Sequence, residues 1–140
     1  MDPELARIKR RLDSGDSRVR ELAADELSDL TQIWTPAADH TDLAHLAITH
    51  LAAETDAAVQ EALANVISGI PQDLPLNDLA PLLPALATLN LSAVEYLLPI
   101  LGATGDPSVE PILNGFLPHK HEPIRHAAQN GLAELRHRLT

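Results

Sequence analysis

Cysteine is missing from all 140 residues, which excludes disulfide bonds, thiol nucleophiles and cysteine-ligated zinc or iron–sulfur sites. The chain also lacks a run of about twenty apolar residues, the length that a membrane-spanning helix needs. Its longest stretch without a charged residue, 79–94, has sixteen residues and contains two prolines. The first residues lack the basic and then apolar pattern of a signal peptide. We therefore expect a cytoplasmic protein that does not contact membranes.

Basic residues are absent from the middle of the chain. Residues 21–119 contain fourteen Asp and Glu but no Lys or Arg, so this stretch has a formal charge of −14, and the whole chain has −10. Such a stretch repels nucleic-acid phosphates and attracts basic proteins. We therefore expect a basic protein as the partner and no nucleic acid. The alternative is that the acidity only keeps the protein soluble.

Aromatic residues are scarce, since the chain holds one Trp, one Tyr and one Phe. Leucine and alanine supply 46 of the 140 residues, and this composition favours helices that pack closely on other helices. A length of 140 residues is enough for one domain with its own core. We therefore expect residues 1–140 to form a single all-α domain.

A repeated pattern predicts the helices. Small or aliphatic residues stand at offsets 0, +4, +8 and +11 from Val19, and again from Val59 and Ile124, which is one stripe of an α-helix. A weaker copy starts at Val94 but has glycines at +8 and +11. Four further helical stretches lie before and between these copies. We predict four antiparallel helix pairs, at about residues 3–33, 41–70, 77–104 and 107–139.

The pattern Asp-x-x-Val-Arg-x-x-Ala-Ala-x-x-Leu-x-x-Leu of residues 16–30 resembles the HEAT-type helical repeat. The Leu-Leu-Pro sequences at 82–84 and 97–99 are typical of that family too. This resemblance covers nearly the whole chain and implies an α-solenoid whose second helices line a concave face. It also implies that Arg20 and Arg125 pair with acids of neighbouring repeats. HEAT-type repeats serve scaffolds, adaptors, lyases and inhibitors, so the resemblance alone selects no function.

Catalytic and metal-binding patterns are not found. His45 and His50 are five residues apart, which turns their side chains about 140° away from each other on a helix. The histidines at 119, 121 and 126 lack the His-Glu-x-x-His spacing of a zinc-binding helix. There is also no Gly-x-Ser-x-Gly motif and no glycine-rich phosphate loop. We therefore expect no enzyme, no metal and no cofactor.

The second helices predict a binding surface, because offsets +2 and +6 lie opposite the buried stripe. From the first pair to the last, these positions hold Glu21 and Asp25, Glu61 and Asn65, Tyr96 and Ile100, and His126 and Asn130. An apolar centre among charged groups is typical of protein-binding sites. We predict that the partner contacts Glu21, Asp25, Glu61, Asn65, Tyr96 and Ile100. The alternatives are that the third pair is simply buried, and that Trp34 is either a buried plug or an exposed contact.

Small acidic helical-repeat chains are similar to bacterial immunity proteins, which bind and neutralise a toxin that is often a basic nuclease. This resemblance implies a monomeric, non-catalytic inhibitor that covers the toxin's binding surface. A HEAT-like adaptor or assembly factor is the alternative. A bilin-lyase-like enzyme is less favoured, because few aromatic residues are present to enclose a chromophore. A toxin gene directly upstream would favour the immunity hypothesis.

Overall fold

A computed structural model describes residues 2–33, 37–71 and 73–140, which form eight α-helices and two short 3₁₀ segments without any strand. The all-α prediction is confirmed for these residues. The α-helices are α1 (Pro3–Leu12), α2 (Ser17–Gln32), α3 (Ala37–Ala53), α4 (Ala57–Ser68), α5 (Leu76–Leu79), α6 (Leu91–Ala103), α7 (Glu110–Phe116) and α8 (Glu122–Leu139). The 3₁₀ segments are Ala80–Ala85 and Pro107–Val109. Trp34 lies outside the described residues.

Three of the predicted first helices differ from the structure. α3 begins at Ala37, four residues before the predicted start at 41. The predicted helix from 77 to 89 consists only of the one-turn α5 and a 3₁₀ segment. Pro81 and Pro84 explain this difference, because each lacks an N–H donor and its ring clashes with the preceding turn of an α-helix. The stretch from 107 likewise begins as a 3₁₀ segment before α7.

Short polar side chains fix where most of the helical segments begin. Each accepts a hydrogen bond from a backbone N–H two or three residues later, and so satisfies a donor that the first turn leaves free. These caps are Asp2 for α1, Asp16 for α2, Asp56 for α4, Asn90 for α6 and Asp106 for the second 3₁₀ segment.

The same hydrogen bond is formed at the start of α2, α4 and α8. We call Val19, Val59, Val94 and Ile124, from which the offsets are counted, the repeat anchors. In three of the four copies, the side chain one residue after the anchor donates to the backbone carbonyl six residues before that side chain. These bonds join Arg20 to Ser14, Gln60 to Glu54 and Arg125 to His119, at 2.9, 2.8 and 2.8 Å. The copies recognised in the sequence therefore share a local structure as well as a pattern.

Arg20 also links neighbouring helix pairs, as the HEAT-type resemblance implies. Its Nε and Nη2 atoms donate to the two carboxylate oxygens of Glu54 at 2.8 and 3.0 Å. Gln60 makes the next link, because its Oε1 accepts from the backbone N–H of Asn90 at 2.8 Å. The expected pairing is confirmed for Arg20, but within the described part of the chain Arg125 forms no ion pair.

The four helices that contain the repeat anchors lie side by side. α2 packs against α4, α4 against α6, and α6 against α8, while α1, α3 and α7 pack on α2, α4 and α8 respectively. The core between them consists of buried Leu, Ile, Val and Ala side chains. Among the described helices, none is both long and apolar enough to cross a membrane.

Two glycines allow α6 and α8 to approach closely. A Cβ atom on Gly102 would lie 2.0 Å from the carbonyl oxygen of Gly131, and one on Gly131 would lie 2.7 Å from that of Leu98. Gly105 has a φ of +70°, a conformation that favours glycine, and lies just after the end of α6. The glycines of the weakest repeat copy are therefore needed for the helix crossing and for the turn.

Deleting residues 1–12 is expected to make the protein aggregate, because α1 covers apolar surface of α2 and α3. Its Leu5, Ile8 and Leu12 side chains are at most 3% exposed. Size-exclusion chromatography and far-UV circular dichroism measure this effect. The variant Arg7→Ala/Arg11→Ala is the control, because it removes the ion pairs to Glu26 and keeps the apolar contacts. A soluble and fully helical deletion variant would contradict the role of α1 as an end cap.

Candidate functional site

The α6–α8 groove is an open depression of about 680 Å³ where α6 and α8 lie beside α4. Most of the residues that line it are polar or charged. It is lined by Glu61 of α4, by Ser92, Glu95, Tyr96 and Pro99 of α6, and by Glu122, Pro123, His126, Ala127 and Asn130 of α8. Three of these ten residues are glutamates and none is Lys or Arg.

The α4–α6 groove is a second depression, of about 580 Å³, and adjoins the first. Aliphatic side chains form more of its wall. Its apolar residues are Ile67, Ile70, Leu74, Pro99, Ile100 and Ala103. Ser68, Asp73, Glu95, Tyr96, Asn130 and Glu134 complete the lining. The site therefore combines a polar groove with a more apolar one.

A shared ridge separates the two grooves, formed by Glu95, Tyr96 and Pro99 of α6 with Asn130 of α8. Residues four apart lie on the same side of a helix, so Glu95 and Pro99 point the same way, away from the buried Val94 and Leu98. Tyr96 is 36% exposed, and its hydroxyl group forms no hydrogen bond within the described residues. The ridge therefore presents a half-exposed aromatic ring to both grooves.

The five carboxylates of the two grooves differ in their partners. Arg138 forms ion pairs with Asp73 and with Glu134, and both raise its pKa, Asp73 more strongly. The same hydrogen bond from Arg138 lowers the pKa of Asp73. In the described part of the chain, Glu61 and Glu95 form neither a hydrogen bond nor an ion pair. The fifth carboxylate, Glu122, lies 3.5 Å from the imidazole of His126. Of the five, those of Glu61 and Glu95 are therefore the ones without an internal partner.

Two predicted acids lie on α2, outside both grooves. Glu21 forms an ion pair with Arg18 at 3.1 Å, and Asp25 is exposed. Loss of solvent around the Asp25 carboxyl and repulsion by Glu21 both raise the pKa of Asp25. α2 packs on α4, so these acids lie on the helix next to the one that carries Glu61.

The other predicted site residues fall into two groups. Glu61, Tyr96 and Ile100 line the grooves, whereas Asn65 lines neither. The Nδ2 atom of Asn65 lies 3.3 Å from the Ser28 hydroxyl on α2, so its side chain joins two helices. His126 and Asn130, at the equivalent positions of α8, also line the α6–α8 groove.

Sequence reasoning missed Glu95, Glu122 and Glu134 as groove residues. A signal for Glu95 is present in the repeat alignment. Glu95 stands where other copies have Arg20, Gln60 and Arg125, which all donate inward to a backbone carbonyl. A carboxylate cannot make that bond, so its side chain faces the solvent instead.

Three of the histidines, His45, His50 and His126, each lie close to one acid. His45 lies 3.5 Å from Asp78, and His50 lies 2.8 Å from Asp13. The interaction with His50 is the largest of the effects that lower the pKa of Asp13. The residues that the structure describes contain no group of three or more His, Asp or Glu placed to hold a metal ion.

No protein-family model, curated protein or solved structure shows significant similarity to this chain. The HEAT-type resemblance therefore rests on the residues of the chain itself. What bears on function is the shape and charge of the two grooves.

Proposed function

We propose that this chain is a non-catalytic, HEAT-like α-solenoid that binds a basic protein through its acidic surface. The observation that carries this proposal is the ridge at Tyr96, where a half-exposed ring adjoins the unneutralised carboxylates of Glu61 and Glu95. Two observations support the solenoid. α2, α4, α6 and α8 contact one another in succession, and the same hydrogen bond is formed at the start of three of them.

The specific function that we propose is that of an immunity protein. Its carboxylates take the place of the nucleic-acid phosphates that a basic toxin would bind. Tyr96 and Ile100 supply the apolar contact that slows dissociation. Inhibition then requires no chemistry, because the bound chain covers the toxin's own binding surface.

A HEAT-like adaptor or assembly factor would use the same surface to hold a harmless partner. The two hypotheses therefore differ in what the partner does when it is expressed alone. A bilin-lyase-like enzyme remains the less favoured hypothesis, because Tyr96 is the only Phe, Tyr or Trp among the described residues that line either groove.

Reversing Glu21, Asp25 and Glu61 to Lys is expected to abolish capture of a basic partner from the source cells. The wild-type chain should retain one basic protein in equimolar amount. Screening by salt acts over about 10 Å at 0.1 M, so salt should slow association more than it changes dissociation. Affinity capture followed by surface plasmon resonance at low and high salt measures both rates. The captured protein should arrest growth when it is expressed alone, and co-expression of the chain should restore growth.

The control variant Glu4→Lys/Asp42→Lys/Glu110→Lys changes the net charge by the same amount on α1, α3 and α7. It should capture the partner as the wild-type chain does. A partner that binds the variant with Glu21, Asp25 and Glu61 reversed to Lys with unchanged affinity at every salt concentration would contradict the proposed surface. A captured protein that is harmless when expressed alone would favour the adaptor.

A further inference from the structure

The acids at the two ends of the α4–α6 groove differ in whether a cation of the chain already pairs with them. At one end, Arg138 is bound to Asp73 and to Glu134, so these two acids already have a cation. Beyond Tyr96, Glu95 of this groove and Glu61 of the adjoining α6–α8 groove have no cationic partner among the described residues. The aliphatic wall between these ends includes Ile70 and Ile100.

We propose that the α4–α6 groove receives the apolar side of an amphipathic, basic segment of the protein partner. A Lys or Arg of that segment reaches Glu61 and Glu95, and its apolar side chains contact Tyr96 and Ile100. This inference rests on the proposed function and adds the kind of segment and its orientation. The basic residue lies at the Tyr96 end, because the acids there have no ion-pair partner within the described residues, whereas Arg138 already pairs with the acids at the other end.

Charge complementarity selects this occupant over the alternatives. A second copy of the chain has a net charge of −10 and carries no Lys or Arg between residues 21 and 119, so its matching surface is repelled. Nucleic acid is repelled by the same acids. A segment that is only basic would leave the aliphatic wall exposed to water. A segment that is both basic and apolar satisfies both parts of the site.

A designed peptide tests this inference without knowledge of the partner. The probe is a fluorescent amphipathic helix of about 18 residues, with Leu along one face and Lys beside that face. One control peptide has Glu in place of every Lys, and another has Ser in place of every Leu. Fluorescence anisotropy should show binding of the probe to the wild-type chain and at least tenfold weaker binding of both controls.

Two pairs of variants locate the binding. Tyr96→Ala should weaken binding of the probe about tenfold, whereas Leu91→Ala, at a residue 39% exposed on the same helix, should change it less than twofold. Glu61→Gln/Glu95→Gln should weaken binding about fivefold at low salt and little at high salt. Asp42→Asn/Glu110→Gln makes the same change in net charge away from the grooves and should leave the affinity within twofold. Circular dichroism confirms that each variant is folded.

Several outcomes would overturn the inference. These are no binding of the probe, equal binding of the peptide without Leu, and equal weakening by the two double-acid variants.

The natural partner gives a separate test. Suppose that the natural partner no longer binds after reversal of Glu21, Asp25 and Glu61, but binds Tyr96→Ala and Glu61→Gln/Glu95→Gln as tightly as the wild-type chain. The inference then fails while the proposed function stands. If the probe binds as expected and no basic partner exists, the proposed function fails instead.

Discussion

Replacing Gly102 by alanine is expected to lower the free energy of unfolding by about 3 kcal/mol or more, the upper part of the range for an overpacked core. The new Cβ would lie 2.0 Å from the carbonyl oxygen of Gly131 and 2.7 Å from its carbonyl carbon. Both are backbone atoms that cannot rotate away, so α6 and α8 would have to move apart. Urea unfolding followed by far-UV circular dichroism measures the loss.

Gly115→Ala is the matched control, because a Cβ at Gly115 of α7 would meet nothing within 4 Å. Alanine is the better helix former by about 1 kcal/mol, so this variant should be as stable as the wild type or slightly more so. Gly131→Ala should also be destabilising, since its Cβ would lie 2.7 Å from the Leu98 carbonyl oxygen. Equal urea midpoints for Gly102→Ala and Gly115→Ala would show that α6 and α8 do not meet as described.

The separation of α6 and α8 also determines the two grooves. Both grooves have walls from these helices, and Tyr96 and Asn130 on the shared ridge come from one helix each. A Gly102→Ala variant that still folds should therefore bind the amphipathic probe more weakly than the wild-type chain does.

The helices that contain the repeat anchors were predictable from sequence because their signals are local. A capping side chain and an apolar stripe of period 3.6 together define α2, and the same holds for α4. α8 keeps the stripe but has no side-chain cap. Between residues 80 and 85 the aliphatic pattern predicted an α-helix, but the prolines there prevent one and the residues form a 3₁₀ segment. Offsets along one helix also indicated correctly that Tyr96 is exposed.

The grooves could not be predicted from offsets along single helices. Each groove draws residues from α4, α6 and α8, and their spacing depends on contacts between residues that are distant in sequence. The ion pair between Arg138 and Asp73 spans 65 residues and decides which acids are neutralised. Nothing in the repeat pattern indicates that pair. The sequence therefore predicted an acidic face, and the structure distinguishes its neutralised acids from the others.

The carboxylate of Glu54 has the most extensive set of partners among the acids of the described residues. It lies between α3 and α4, and its side chain is 5% exposed. It accepts from Arg20 through both oxygens and from the backbone N–H groups of Thr55 and Asp56, both at 2.9 Å. Burial by itself raises the pKa of Glu54, but these hydrogen bonds outweigh that effect and hold the pKa below its ordinary value of 4.5.

Glu54→Ala is therefore expected to lower the free energy of unfolding by about 3–5 kcal/mol at neutral pH, because it leaves the Arg20 charge unpaired in a mostly buried place. Glu26→Ala, which removes a more exposed partner of Arg7 and Arg11, should cost less than about 1 kcal/mol. Since folding lowers the pKa of Glu54, its contribution is complete above the unfolded-state pKa and is lost as the pH falls through the folded-state value. Urea unfolding at a series of pH values should therefore show the wild type and Glu54→Ala converging below about pH 4.5. A constant difference between them down to strongly acidic pH would contradict the stabilising role of the ionised pair.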